Sequence, residues 1–305
     1  MRYAAHRQPL AEARTPVNDG ATLVKMEHGC EKRATPFLKW AGGKGRLLAQ
    51  YAPYFPKNYG TYYEPFCGGG AVFFHLTPGR AVLSDINPEL VNVYTCVRDA
   101  VERVIALLEE HAARHNEGHY YTVRDQQPHA LTPVERAARL IYLNHTCFNG
   151  LYRENASGAF NVPLGRYTNP TICDAANLRA ASRALQSAET LTAPFDHVLQ
   201  RARQGDLVYF DPPYVPLSTT SSFTSYSRHA FGREEQVRLR DTFAALAQRG
   251  VQVMLSNSDT PFTRDLYRDF RIITISAARA INSRAERRGK ISEILVLGDE
   301  HHGIP

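Results

Sequence analysis

Four apolar residues, Leu207-Val208-Tyr209-Phe210, lie between Gly205-Asp206 and the tetrapeptide Asp211-Pro212-Pro213-Tyr214. So short and apolar a run reads as a strand buried on both faces, the habit of parallel sheets covered by helices. The prolines end it, since neither has an N–H for a ladder and each fixes its own φ. The chain thus leaves the sheet stiffly at the carboxyl end of a strand, where open α/β sheets bind their ligands. A carboxylate, a proline carbonyl and an aromatic ring share one short loop. That set suits a planar amine: Asp211 and the Pro212 carbonyl each accept one amino hydrogen, and Tyr214 stacks on the ring. A strand followed by an ordinary proline turn leaves the same trace, so the rest of the chain decides.

Elsewhere the pattern is also α/β. Tyr62-Tyr63-Glu64-Pro65-Phe66 reads as a strand, Cys67-Gly68-Gly69-Gly70 as a tight turn, and residues 71–76 as the start of a helix, the layout of a nucleotide-binding first turn. The dinucleotide fingerprint is incomplete, because Phe73 stands where its third glycine belongs. Ala81-Val82-Leu83 forms a second strand ending in Ser84-Asp85-Ile86-Asn87-Pro88. Asp85 sits where an acid holds a ribose hydroxyl, and Asn87 with Pro88 caps and opens a helix. A ribose-bearing ligand without a pyrophosphate fits this better than NAD; a helix cap is the plainer role for Asp85. That helix is apolar at Leu90, Val93, Val97, Val101, Val104 and Leu108, so it is expected to run on to Leu108. Another opens at Thr132, with Pro133 first and Glu135 placed for a capping box. A helix over 232–249 and strands over 251–255, 272–275 and 291–297 complete the alternation, the first of these strands running into Ser256-Asn257-Ser258-Asp259.

Near the start, Phe37-Leu38-Lys39-Trp40-Ala41-Gly42-Gly43-Lys44 leads towards a helix from Arg46. Paired glycines let a backbone approach a ligand, and Trp40 and Lys44 offer a ring face and a cation for a carboxylate. A Walker loop is excluded, because Leu38 replaces its first glycine and Gly45 follows the lysine. A glycine turn with Trp40 in the core would look alike.

From Asn144 to Tyr167 glycine, asparagine and aromatic residues interleave with arginine and no helical or strand period survives. Residues 136–205 hold eight arginines (136, 139, 153, 166, 179, 183, 201, 203) and no lysine, against four acids. Such a basic stretch suits contacts in a nucleic-acid groove, with a solvated surface loop as the alternative. The whole chain has 305 residues, 43% hydrophobic content, a net charge of +6 and a pI near 9.1, which permits a polyanionic partner without demanding one. Five scattered cysteines without a CxxC pair indicate neither a disulfide framework nor a zinc cluster. A reducing cytoplasm is the expected compartment. No apolar run approaches the roughly 18 residues of a membrane span, and no signal core opens the chain. Residues 1–34 read as a loosely ordered extension, 217–227 as a mobile Ser/Thr-rich loop, and 279–290 as a basic hairpin tip or phosphate contact.

The ordered run of the Trp-Ala-Gly-Gly-Lys element, the Glu-Pro-Phe-Cys-Gly-Gly-Gly turn, Asp85-Ile86-Asn87, the segment from Asn149-Gly150-Leu151-Tyr152-Arg153 to Phe160-Asn161-Val162-Pro163, and Asp-Pro-Pro-Tyr resembles the DNA adenine methylase family. The likeness runs from about Phe37 to Gly298; a mild departure is Glu235-Gln236 where the family often has Asp-Gln. The resemblance implies an α/β fold: a doubly wound, Rossmann-like methyltransferase sheet, mostly parallel with a reversed last strand, plus a small, mainly helical target-recognition insert. It implies a catalytic domain over 35–130 and 205–298, the insert over 131–204, and a tail over 299–305. The cofactor implied is S-adenosyl-L-methionine, touched by Trp40, Ala41, Gly42, Lys44, Phe66, Gly68, Gly70, Asp85 and Asp211. Asp211, Pro212 and Tyr214 resemble the catalytic group, and Lys39, Phe148, Asn149, Leu151, Arg153 and Pro163 the DNA contacts. A monomer, without metal or membrane partner, would methylate N6 of an adenine flipped out of double-stranded DNA, within GATC, alone or beside a restriction endonuclease. An RNA or protein amino-methyltransferase using the same catalytic box, or a non-catalytic DNA-binding module, are the alternatives.

Overall fold

The computed structural model describes residues 33–155, 158–215, 231–277 and 291–300, and in them strands and helices alternate. After a 3₁₀ turn at Lys44–Arg46 come α1 (Leu48–Tyr51), β1 (Tyr62–Glu64), α2 (Ala71–Leu76), β2 (Ala81–Asp85), α3 (Pro88–Asp99), α4 (Val101–Ala113), α5 (Glu117–Asp125) and α6 (Pro133–Thr146). The second half supplies α7 (Ala175–Leu185), β3 (Ala188–Thr192), α8 (Val198–Arg201), β4 (Leu207–Phe210), α9 (Arg233–Gln248), β5 (Gln252–Ser258), α10 (Pro261–Leu266), β6 (Phe270–Ala277) and β7 (Ile291–Glu300). The extension, Ser/Thr-rich loop and basic tip expected from sequence lie outside the described residues, except that Ala34 is buried.

One seven-stranded sheet has the order β3-β2-β1-β4-β5-β7-β6. β3 to β5 are parallel, and β7 runs antiparallel to both β5 and β6. This is the expected mostly parallel sheet with its last strand reversed. Alternation along the strands sends side chains to two cores: Tyr62, Leu83, Tyr209 and Met254 to one face, and Tyr63, Val82, Val208, Phe210 and Leu255 to the other. All four β4 residues are fully buried, as the uninterrupted apolar run requires. No helix among the described residues is long and apolar enough to cross a membrane.

Helix ends form where the capping residues stand. The Asn87 side chain accepts from the N–H groups of Glu89 and Leu90 ahead of α3, and Thr132 with Glu135 closes a capping box on α6. The single helix expected from Pro88 to Leu108 is instead two, broken at Ala100, whose φ of −144° is not helical. The cause is tertiary: Ser182 Oγ and Gln186 Nε2 on α7 donate to the Arg98 carbonyl at 3.2 and 2.8 Å, satisfying a helix-end acceptor. A further difference is β3, which lies in the span expected as an insert yet pairs in parallel with β2 along its whole length.

The aperiodic segment after α6 is an irregular hairpin. Isolated bridges join Cys147 to Leu164 and Glu154 to Phe160, and Phe148 N–H donates to the Pro163 carbonyl at 2.9 Å. Asn144, 1% exposed in the last turn of α6, ties its root to the start of the domain. It accepts from Lys39 N–H at 2.8 Å and donates to the carbonyls of Lys39 and Gly150 at 2.7 and 2.9 Å. Replacing it with alanine strands three backbone groups. Asn144→Ala is expected to lower unfolding free energy by about 2–4 kcal/mol, read as a shifted urea midpoint with unchanged slope.

Candidate active site

The chain winds away from β1 and from β4 in opposite directions, so the crevice between these neighbours opens at their carboxyl ends. Beside it, the turn after β1 is closed by Gly70 N–H to the Cys67 carbonyl at 2.7 Å and pinned to β2 by Cys67 N–H to the Ser84 carbonyl at 3.0 Å. Gly68 has φ +44°, and a Cβ there would meet Trp40 Cδ1 at 2.8 Å, so the indole lies directly on the turn. Trp40 also stacks on Tyr152 with centroids 5.5 Å apart. Asp85 ends β2 half-buried, taking Asn87 N–H at 3.0 Å and Gly68 N–H at only 3.4 Å. Burial outweighs these N–H groups and that of Ile86 and pushes its carboxyl up to about 6. Ile86 next to it is 47% exposed.

The loop after β4 is held from several elements. Lys44, 2% exposed, brings its ammonium 2.7 Å from Asp211 Oδ1, 2.6 Å from the Gly42 carbonyl and 4.6 Å from the Tyr214 ring centroid. Ser256 donates to the same Asp211 oxygen at 2.9 Å, which leaves the Tyr209 hydroxyl to donate to Ser256, also at 2.9 Å. Tyr214 donates to Glu293 of β7 at 2.5 Å, and Tyr51 donates to the same oxygen at 3.4 Å. Gln236 Nε2 holds the Pro213 carbonyl at 3.0 Å, and Ser258 Oγ the Val215 carbonyl at 3.0 Å. Among the described residues no donor reaches Asp211 Oδ2 or the Pro212 carbonyl. Trp40, Ala41, Gly42, Lys44, Gly68 and the Asp-Pro-Pro-Tyr loop are thereby brought together. Phe66, just before the glycine turn, stacks on Phe195 at 5.5 Å and lies edge-on to Phe231 at 5.6 Å and to Phe210 at 6.4 Å.

A second face lies on the far side of Trp40. Lys39 Nζ stands 4.3 Å from the Tyr167 centroid and its stem packs on Gly150, where a Cβ would come within 2.6 Å. Phe148 is 47% exposed and Asn149 has φ +55°. Leu151 is half-buried against the core and Pro163 is exposed. Arg153 gives Nε to Asn161 Oδ1 at 2.6 Å and Nη2 to the Asn161 carbonyl at 3.1 Å. The arginine-rich reading of 136–205 is weakened: Arg136, Arg179 and Arg201 pair with Glu89, Glu102 and Glu189, and Arg139 is buried on the carbonyls of Val123 and Arg124. With Arg153, at least five of those eight guanidinium groups are thus engaged within the fold.

Sequence reasoning passed over Glu64, Gln236, Ser256 and Glu293 as site residues. A usable signal was Ser256-Asn257-Ser258, three polar residues continuing an apolar strand, which burial at 4% or less makes structural or functional rather than solvated.

A glycine turn after the first strand, an acid after the second and a proline-fixed carboxylate after the fourth, all at one switch point, define a Rossmann-like group-transfer enzyme. Residues 40–281 match the D12 class N6 adenine-specific DNA methyltransferase family, and the chain belongs to that family. It is 45% identical over 267 residues to the type II methyltransferase M1.LlaDCHI of Lactococcus lactis subsp. cremoris, covering 86% of this chain and 94% of the relative. It is 41% identical to the type II methyltransferase M.MjaIII of Methanocaldococcus jannaschii, covering 86% and 98% respectively. It is 36% identical to the DNA adenine methylase of Escherichia coli K12, covering 87% and 96%. The protein is an adenine-specific DNA methyltransferase.

Glu64 closes β1 with 3% exposure, and burial pushes its carboxyl up to about 8 although Tyr62 OH and Phe73 N–H both donate to it, at 2.7 and 3.2 Å. An acid that holds its proton more tightly when folded favours folding below its unfolded pKa of 4.5, and this contribution is lost as pH rises through about 8. Thermal midpoints from pH 5 to 9 are expected to fall less steeply for Glu64→Gln than for the parent; parallel curves would show that Glu64 is ionised throughout.

Proposed function

We propose that this enzyme takes its methyl group from S-adenosylmethionine and places it on an adenine rotated out of duplex DNA, within GATC. The observation that carries the reading is a pair of acceptors at the switch point, Asp211 Oδ2 and the Pro212 carbonyl, to which no described residue donates. The residues present also fit a nucleoside cofactor. Asp85 is a half-buried carboxylate at the end of β2, able to accept from ribose hydroxyls, and Ile86 offers an exposed apolar ledge next to it. Trp40, Gly68 and Gly70 shape the adjoining turn, and Lys44 supplies a cation.

When bound, S-adenosylmethionine supplies an electrophilic methyl group on a sulfonium centre. The chain's part is alignment and charge. Asp211 and the Pro212 carbonyl accept the two amino hydrogens of adenine, drawing the nitrogen lone pair out of ring conjugation, while Tyr214 stacks on the base. Lys44 and Ser256 fix the carboxylate beforehand, so it need not reorganise as positive charge grows on the nitrogen. Asp211 is also the base nearest the proton that nitrogen must shed. Flipping is needed because a stacked amino group cannot meet the methyl carbon, and it costs a few kcal/mol. In this reading Phe148, which is exposed, fills the gap left by the base.

The recognition surface in this reading is the hairpin of residues 144–167 on α6 with Lys39. Arg153 keeps three of its five N–H groups after serving Asn161, enough for a bidentate contact to guanine O6 and N7. The DNA adenine methylase relatives are the support for GATC.

Asp211→Ala is expected to cut turnover by more than about 100-fold, the cost of losing one preorganised acceptor. Turnover within tenfold of the parent would sink the catalytic assignment. For recognition, methylation rates on duplexes with single changes across GATC, at one salt concentration, separate two roles. Arg153→Ala should relax preference at one guanine position by about 1–3 kcal/mol, and Phe148→Ala should slow every substrate alike. A uniform loss for Arg153→Ala would make it a phosphate contact.

A further inference from the structure

Two buried amides lie behind the catalytic loop and take no part in the chemistry above. Gln236, in the first turns of α9, is 1% exposed, and Asn257 in β5 is fully buried. They form a chain of bonds with one direction. Ser258 N–H donates to Asn257 Oδ1 at 2.8 Å, Asn257 Nδ2 donates to Gln236 Oε1 at 3.0 Å, and Gln236 Nε2 donates to the Pro213 carbonyl at 3.0 Å. A primary amide can present either oxygen or nitrogen at a given place, but a backbone N–H cannot reverse. The Ser258 N–H therefore dictates that the nitrogen end of Gln236 faces the loop. Pro213 has no N–H of its own, so its carbonyl is the handle by which that residue can be held.

Neighbouring β5 residues engage the same loop directly. Ser256 binds Asp211 and Ser258 binds the Val215 carbonyl, while Asn257, between them on the strand, works through α9. The loop is thus fixed by β5 directly and by α9 through Asn257.

We propose that Asn257 and Gln236 are positioning residues which, by orienting the Pro213 carbonyl, set the Pro212 carbonyl and the Tyr214 ring against the target amine, so that removing or reversing the Gln236 donor slows methyl transfer without weakening either ligand. This rests on reading Asp211-Pro212-Pro213-Tyr214 as the catalytic loop. Gln236→Glu keeps the shape and the acceptor for Asn257 but replaces the donor to Pro213 with an oxygen. Asn257→Asp obliges Gln236 to turn its nitrogen inward and its oxygen towards the Pro213 carbonyl. Asn257→Ala leaves Gln236 free to keep donating.

The test is single-turnover methylation at pH 8, with dissociation constants for S-adenosylmethionine and a GATC duplex and a thermal midpoint measured for each variant. Gln236→Glu and Asn257→Asp are expected to lose about 10- to 100-fold in rate, the scale of a small misplacement of reacting groups. Both dissociation constants should stay within about threefold of the parent, and Asn257→Ala should remain the fastest of the three. Packing alone predicts the opposite order, because truncation leaves the larger void. Gln236→Asn, which withdraws the donor without adding charge, should show the same loss and serves if either acidic variant does not fold. A parental rate in Gln236→Glu or Gln236→Asn overturns the proposal, as does affinity falling in step with rate. Asp211→Ala is measured alongside: activity there removes the reading beneath the proposal, whereas an inactive Asp211→Ala beside a fully active Gln236→Glu overturns the relay alone.

Discussion

A lysine ammonium with 2% exposure needs a counter-charge, and the Lys44 pair with Asp211 is the interaction on which the rest of the site depends. An uncompensated charge at such a place costs several kcal/mol, so the turn after Trp40 and the loop after β4 are bound to adopt their positions together. Once Asp211 is fixed, its other neighbours follow. Ser256 must lie level with it across the β4-β5 pairing, and the register that aligns Phe210 with Leu255 puts it there. Tyr209, one residue before the strand ends, completes the line from the other side of Ser256. The same ammonium lies over the Tyr214 ring, so one cation organises both ends of the tetrapeptide.

That pair also explains how distant stretches act as one site. Trp40 rests on the glycine turn by one side and on Tyr152 by another, and Asn144 binds Lys39 to Gly150. The segment 37–44 is therefore a hub, touching the glycine turn after β1, the loop after β4 and the hairpin that follows α6. The hairpin and the loop after β4 are joined through it by a physical route made of packed rings and backbone bonds.

Much of this was legible in the chain. β4 and its stop and the capped starts of α3 and α6 follow from local rules that no tertiary contact overrode, whereas the reversed last strand came from the family resemblance. The misses share a cause, which is that they depend on partners distant in sequence. The break at Ala100 needs Ser182 and Gln186 to receive the Arg98 carbonyl. β3 reads weakly because Ala188-Glu189-Thr190-Leu191-Thr192 is an edge strand, half exposed, and its pairing with β2 is what makes it a strand. The arginines of 136–205 looked like a nucleic-acid surface because a composition count cannot see that Glu89, lying outside that span, claims Arg136. Ser256-Asn257-Ser258 looked like a strand fading into a loop, whereas the strand continues, with Ser256 donating to Asp211, Asn257 to Gln236 and Ser258 to the Val215 carbonyl.

The reversal of β7 has an effect on which residues can be recruited to chemistry. A parallel strand offers a ligand crevice only its carboxyl end, so every contribution from such a strand comes late in its own sequence. β7 enters the sheet from the crevice side: Glu293, third in the strand, pairs with Ser258 at the end of β5, and Leu297 pairs with Met254 well inside it. Were the strand turned round, Glu293 would stand near the opposite rim, more than about 10 Å from Tyr214. Strand polarity thus acts here as an address: reversing one strand makes its opening residues, rather than its closing ones, available to hold Tyr214.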